Sequence, residues 1–397
     1  MVRAFVIFLT ALLKQYHVIQ FVAQGMGRNG TETDMPHNQF EDPFLTTVEA
    51  APALDSVRAI AAKLKAAKKK ATTEDRAQFT AMLANAAFLA PDRVAEIYDA
   101  ATEGWEGRPI NSAPINSEPT PSLKVPSELW PAYFDLVRDA AAGALDALSI
   151  TSRTADLGGM MSDAFNQRLI QASYAYPGVR TAAERPLPDM ITLDTLAAEP
   201  EGSLARQFHD LIVANKFDLE VLDRDEIGLH TLPKPLDYLN TRMLQAHDLW
   251  HIVAGYDTTA LHEIALSAFQ MAQFGHNYSA HFLAVVFGAA SSGPASGFVV
   301  AADTVFSAWR HGRETAPFIL IDWESEWGRS TDDIRHAFEI TPYQSPYRAD
   351  LIERSQRSFD HVTSGFACMQ HQQHAVDETG QYRGIGHRGR GRAVDDD

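Results

Sequence analysis

The chain has 397 residues, 45% of them hydrophobic and 21% charged, a balance that supports a sizeable core and excludes a disordered or fibrous protein. Its formal net charge of −17 repels phosphate backbones and anionic headgroups alike, which excludes nucleic acid as a partner and requires any membrane contact to be apolar. One cysteine, Cys368, rules out an internal disulfide and a thiolate zinc framework, so a metal has to be held by histidines and carboxylates.

At the start of the chain, Arg3 and the apolar run Ala4 to Leu13 resemble a secretory signal, but Lys14, Gln15 and His17 interrupt the run, and it is too short to span a bilayer. An over-extended start, with Met26 or Met35 as the natural beginning, explains it better, and residues 1–44 are expected to be a flexible N-terminal segment. Residues 45–103 read as a helical N-terminal region. Leu54, Val57, Ile60, Ala61 and Leu64 recur at three- and four-residue spacing, as does a second set from Phe79 through Leu89 to Ile97 and Tyr98. Lys63 to Lys70 read as a solvated face.

Residues 104–127 lose this periodicity and gather Pro109, Pro114, Pro119, Pro121 and Pro126, the composition of a Pro-rich linker. Helical patterns return over 128–345 with few alternating β-branched runs, so the fold is expected to be mostly α. A C-terminal helix over 346–370 and a disordered tail over 371–397, containing His371, His374 and His387, complete the chain.

Residues 235–275 carry the chemistry. Pro233 and Pro235 suit a helix start near residue 235, and Leu239, Met243, Ala246, Trp250 and Val253 form one apolar stripe that docks it. At about 100° per residue, His251 lies roughly 40° around the axis from His247 and Asp248 about 100° from it, so the three project into one arc. The i, i+4 imidazoles can approach a common ion, with Asp248 as a third ligand or as an acceptor that orients a ring. Gly255 then closes the helix. Thr258 or Thr259 caps the next one, whose buried face is Leu261, Ile264, Ala265, Ala268 and Ala272. So short a connection makes the pair antiparallel, which returns Glu263 to the neighbourhood of His251.

A His-Asp-x-x-His pattern should arise by chance on the order of a few hundredths of a time in such a chain, which makes the spacing informative. Bland readings stand beside it. Both histidines can be surface groups, and Glu263 shares a stripe with Ser267, Gln270 and Phe274 that can face solvent. His262, His276 and His281 are rival ligands or hydrogen-bonded structural residues.

These residues, in the setting Gln245 to Val253, resemble the signature of the Coq4 family, His-Asp-x-x-His followed after eleven residues by Glu. Upstream, Glu184-Arg185-Pro186, Leu196 and Glu201 to Leu204 resemble the family's preceding segment. Downstream, Trp309-Arg310, Gly312, Pro317, Trp323 and Trp327 resemble its closing one. The likeness covers roughly residues 155–345. It implies an all-helical fold, a role in ubiquinone biosynthesis, and a divalent ion, zinc first and iron second, on His247, Asp248, His251 and Glu263. It also implies peripheral contact with a bacterial or mitochondrial inner membrane, prenylated ring intermediates or lipid as ligands, and other ubiquinone-biosynthesis proteins as partners. Self-association as a homo-oligomer is expected beside these. The reaction implied is at ring carbon C1, where a carboxyl gives way to a hydroxyl.

Phe269, Met271, Phe274, Phe282, Leu283, Val285, Val286 and Phe287 offer an apolar surface that can serve as a polyprenyl groove or as core. A scaffold for ubiquinone enzymes with a structural metal is the alternative within the family. Outside it stands an HD-type phosphohydrolase built on His209, His247, Asp248 and Asp303. A zincin-like peptidase is weaker, because Asp248 is a methylene short of the usual glutamate base.

Overall fold

The computed structural model describes residues 38–115, 120–145, 147–217, 219, 224–225 and 228–355. Among them there is no β-strand, only an isolated bridge between Ser203 and Ser330. The helices of seven or more residues are α1 (Asn38–Val48), α2 (Leu54–Ala67), α3 (Thr73–Phe88), α4 (Val94–Glu106), α5 (Leu129–Ala141), α6 (Ala147–Gly159) and α7 (Asp163–Ser173). After them come α8 (Leu204–Asn215), α9 (Leu236–Ala254), α10 (Ala260–Phe274), α11 (Asn277–Ser292), α12 (Ala295–Glu314) and α13 (Thr331–Ala337). The described residues up to Glu353 form one compact unit. Among the described residues no helix is long and apolar enough to cross a membrane.

The centre of the molecule is α10, α11 and α12. Every residue of α10 is buried, and α11 is buried on nearly every face, the state expected of helices without a polar side. Gly312 permits the close approach of α12 to α10: a Cβ there would lie 2.8 Å from both Ala272 Cβ and the Phe269 carbonyl oxygen. From the N-terminal region α3 packs on α11 and α4 on α12, while α5 and α6 cover α11 from the C-terminal side of the linker. Phe79 meets Phe287 edge-on, Thr80 bonds Ser291 at 2.8 Å, and the Tyr133 hydroxyl donates to the Ala284 carbonyl at 2.8 Å.

This covering corrects the polyprenyl groove. Phe269, Met271, Phe274, Phe282, Leu283, Val285, Val286 and Phe287 are all 0–2% exposed, because α3, α5 and α12 close over the surface they would have offered. They are core.

The proline-rich stretch is tied down where it is described. Prolines donate no N–H but keep their carbonyls, and the exposed acceptors are taken by α12: Arg310 donates to the Arg108 and Pro109 carbonyls and Arg313 to that of Ala113. The Leu123 N–H donates to the Leu89 carbonyl at 2.8 Å. Helix α4 reaches Glu106, past the expected boundary at 103, and α1 begins at Asn38, inside the segment expected to be flexible. Lys63 and Lys68 to Lys70 are exposed, as a solvated face requires, whereas Lys65 pairs with Asp303. Of the expected C-terminal helix, residues 351–355 are helical. Its remainder, Cys368 and the tail lie outside the described residues, as do residues 1–37.

Candidate metal centre

Helix α9 starts directly after Pro235, and its stripe Leu239, Met243, Ala246, Trp250 and Val253 is 0–3% exposed. Gly255 ends it at φ 78°, a left-handed conformation that suits glycine, and its N–H donates to the His251 carbonyl at 3.1 Å. A side chain at 255 would also collide with Pro342, whose Cβ would lie 2.9 Å away. Thr259 occupies the N-cap position of α10 but makes no side-chain cap. The Glu353 carboxylate, 93 residues on in sequence, accepts the Ala260 N–H at 2.9 Å instead.

Helices α9 and α10 meet through a few side chains. His251 faces Glu263, His247 faces Gln270, and Trp250 meets Phe274 with ring centroids 5.8 Å apart. Glu263 lies in the first turn of α10, where the helix dipole favours a negative charge. It is 6% exposed, so the solvent-facing reading of its stripe fails: Ser267, Gln270 and Phe274 are buried with it, Gln270 against His247 and Phe274 against Trp250.

His247 Nε2 lies 3.3 Å from Glu263 Oε2, and His251 Nε2 lies 3.3 Å from Oε1. The two imidazole centroids are 5.1 Å apart, and His247, Asp248 and His251 each offer a ligand atom within 4.8 Å of the others'. The structure therefore groups His247, Asp248 and His251 as possible ligands and sets Glu263 against both imidazoles.

The protons decide what this group can do. His251 Nδ1 lies 3.2 Å from the Tyr256 carbonyl, which only accepts, so the ring carries N–H there and turns a bare Nε2 lone pair on Glu263. His251 Nε2 and Glu263 Oε2 are both buried without a hydrogen bond. A nitrogen lone pair facing a carboxylate oxygen in a dry interior needs a cation between them, either a proton or a metal ion. Burial opposes charge on His251, but Glu263 and Asp248 outweigh it and raise its pKa. Burial likewise opposes charge on Glu263, yet the two imidazoles hold its carboxyl well below the usual carboxylate range. The donor set fits a divalent ion: two donors ~2.1 Å from one ion are ~3.4 Å apart at a tetrahedral angle, close to the 3.3 Å found here. Two imidazoles with carboxylates suit zinc and iron alike.

The rival histidines are engaged elsewhere. His262 Nδ1 accepts the Asp257 N–H at 2.8 Å and ties the turn. His276 Nδ1 bonds the Ser279 hydroxyl at 2.8 Å, and burial lowers its pKa to about 3. His281 donates to the Ala87 carbonyl, stacks on Phe88 at 4.4 Å, and is lowered by burial to about 4. The phosphohydrolase arrangement does not assemble. Asp303 accepts from Trp105, Tyr347 and Lys65, His209 pairs with Asp210, and none of these partners belongs to the 247–263 group.

Two partners escaped the sequence reading. Gln270, 2% exposed, places its amide nitrogen 2.7 Å from His247 Nδ1. Its spacing of seven residues from Glu263, two helical turns, was the available signal. The Tyr256 carbonyl left none, since any residue supplies one. The Tyr256 side chain fixes that carbonyl's turn by bonding His311 Nδ1 at 2.7 Å, while His311 donates from Nε2 to the Thr341 carbonyl.

A family model described as coenzyme Q (ubiquinone) biosynthesis protein Coq4 matches residues 150–344. The mitochondrial ubiquinone biosynthesis protein COQ4 homolog of Rattus norvegicus is 26% identical over 173 residues, 42% of this chain and 61% of its own length. Homolog 1 of Culex quinquefasciatus is 28% identical over 165 residues, 41% of this chain and 58% of its own. The COQ4 protein of Laccaria bicolor is 25% identical over 191 residues, 47% of this chain and 62% of its own. A crystal structure from Nostoc punctiforme PCC 73102 overlays with a TM-score of 0.41 at 24% identity, over 54% of this chain and 97% of its own. The chain thus spans about three fifths of the length of the curated relatives it matches. Residues 150–344, which contain the His247–Glu263 group, belong to the Coq4 family.

Proposed function

We propose that this protein acts in ubiquinone biosynthesis, at the step where a prenylated benzoate-derived ring loses its C1 carboxyl and gains a hydroxyl. The observation that carries the reading is the bare Nε2 of buried His251 facing Glu263 Oε1 in a Coq4-family segment, with His247 on the other carboxylate oxygen. His247, His251 and Glu263, with Asp248 alongside, would hold a divalent ion, zinc or iron. When bound, that ion supplies a fixed positive charge and open positions for a substrate carboxylate and phenolate. The two imidazoles hold the Glu263 carboxyl well below the usual carboxylate range, which suits it to be a ligand and not a proton donor. The carbon–carboxyl bond breaks with carbon dioxide leaving and its electron pair left on the ring; installing a hydroxyl from water then removes two electrons, which dioxygen as co-substrate would take up with two protons as hydrogen peroxide. The same reading has the protein at a membrane surface among other ubiquinone-biosynthesis proteins. Exposed Met190 and Leu193 are apolar contacts available there, on a segment whose Asp189 carbonyl accepts from Gln245 on α9 at 2.6 Å.

Elemental analysis of the purified protein, paired with quinone profiling of a deletion strain, tests this. The expected results are one divalent ion per chain, and accumulation of a ring still bearing its C1 carboxyl when the gene is deleted or replaced by His247→Ala or Glu263→Ala. Variants with full metal content and full ubiquinone output would sink the assignment. A wild-type protein that binds metal but never turns over a carboxylated prenyl-phenol in air would point to a scaffold.

A further inference from the structure

The two imidazoles of the centre are held in opposite tautomers. An amide nitrogen only donates, so with Gln270 Nε2 at 2.7 Å, His247 Nδ1 accepts, and the neutral ring carries its proton on Nε2, toward Glu263 Oε2. His251, bonded through Nδ1–H to the Tyr256 carbonyl, presents Nε2 to the cation, proton or metal ion, that lies between it and Glu263. As arranged, His251 can accept a cation at Nε2 and His247 cannot. His247 gains that capacity when its proton sits on Nδ1 and Gln270 turns its carbonyl oxygen toward the ring.

We propose that Gln270 is a positioning residue that selects the tautomer of His247, donating to Nδ1 in the ion-free protein and accepting from Nδ1–H when His247 joins an ion. The proposal rests on the metal reading above and adds the residue that governs it. The exchange is balanced: the N–H bond at Nε2 breaks, one at Nδ1 forms, and the ring keeps a single proton. A glutamine suits the task because one flat group carries both a donor and an acceptor, and half a turn about its last torsion exchanges them. Burial at 2% exposure keeps water from taking over either role. A carbonyl such as that of Tyr256 can favour only one tautomer, so the adjustable ring is His247 and the fixed one His251.

Zinc alone serves as the probe, titrated against a competing chelator into the full chain and its Gln270→Glu and Gln270→Met variants. Nitrogen–proton correlation spectra of the imidazoles, with His247 assigned by its loss in His247→Asn, read the tautomers directly. In wild type the His247 proton is expected on Nε2 without zinc and on Nδ1 with it. Gln270→Glu, which can only accept, is expected to carry the Nδ1 proton already without zinc and to bind at least as tightly as wild type. Gln270→Met, which can do neither, is expected to bind about 10- to 100-fold more weakly, the usual effect of removing the partner of a ligating imidazole. Wild-type affinity in Gln270→Met, or an Nδ1 proton in zinc-free wild type, would overturn the proposal. Should Gln270→Met fail to fold, the wild-type and Gln270→Glu spectra decide. If wild type takes up no zinc, the metal reading fails, and the zinc-free spectra of wild type and Gln270→Glu still show whether Gln270 sets the tautomer.

Discussion

Replacing Asp99 with alanine should cost more stability than any surface change in the protein. Asp99 projects from α4 and accepts from Trp309 Nε1 at 2.8 Å, Arg313 Nε at 3.0 Å and Arg313 Nη2 at 3.2 Å, so one carboxylate joins the N-terminal region to α12. The Arg313 side chain is 2% exposed and its partner 17%. Asp99→Ala therefore strands a guanidinium charge out of reach of water and takes the acceptor from a buried indole, a loss on the order of 3–5 kcal/mol for breaking a buried pair. Urea unfolding followed by tryptophan fluorescence reads it, with the midpoint falling and the slope unchanged. The companion double variant Asp99→Ala with Arg313→Met removes both charges and should recover a large part of the loss. A single-variant loss below about 1 kcal/mol, or a double variant no better than the single one, would refute the reasoning.

Burial lowers the His281 pKa to about 4, so the folded protein keeps this ring neutral while the unfolded chain protonates it near 6.5. Its contribution is then complete above about pH 6.5 and lost as the pH falls toward 4, by on the order of 3 kcal/mol. Thermal melts from pH 7 to 4.5 should show this slope, and a His281→Gln variant should flatten it; an equal slope in the variant would count against burial as the cause. Gly312→Ala should destabilise by about 1–3 kcal/mol despite the better helix propensity of alanine, because the new methyl meets Ala272 and the α10 backbone inside van der Waals contact. An unchanged melting temperature would mean that α10 and α12 can part without cost.

Periodicity made the helices, the docking stripe of α9, the stop at Gly255 and the return of Glu263 legible before any coordinates. It reports which residues share a face, and nothing about what covers that face. Glu263, Ser267, Gln270 and Phe274 form a stripe polar enough to suggest solvent, and only the packed structure shows it to be interior. The apolar run Phe282 to Phe287 leaves groove and core both open in sequence for the complementary reason: α3 lies some 200 residues earlier, as the Thr80–Ser291 pair shows, and no local pattern links them. The cap of α10 was misassigned to nearby threonines because the carboxylate that supplies it, Glu353, comes from the far end of the described chain. Arg310 looks like family signature in sequence, yet in space it and Arg313 fasten the proline-rich stretch.

The left-handed turn after α9 acts as a ruler. Because the Tyr256 carbonyl must fall beside His251 while α10 starts at Ala260, the count from His251 to Glu263 is mechanical. One extra residue inserted among Asp257 to Thr259 would rotate the following helix by about 100° and bring His262 to the place Glu263 now holds. The acid would be exchanged for a third imidazole, and Asp248 would be left as the one carboxylate of the group to balance a doubly charged ion.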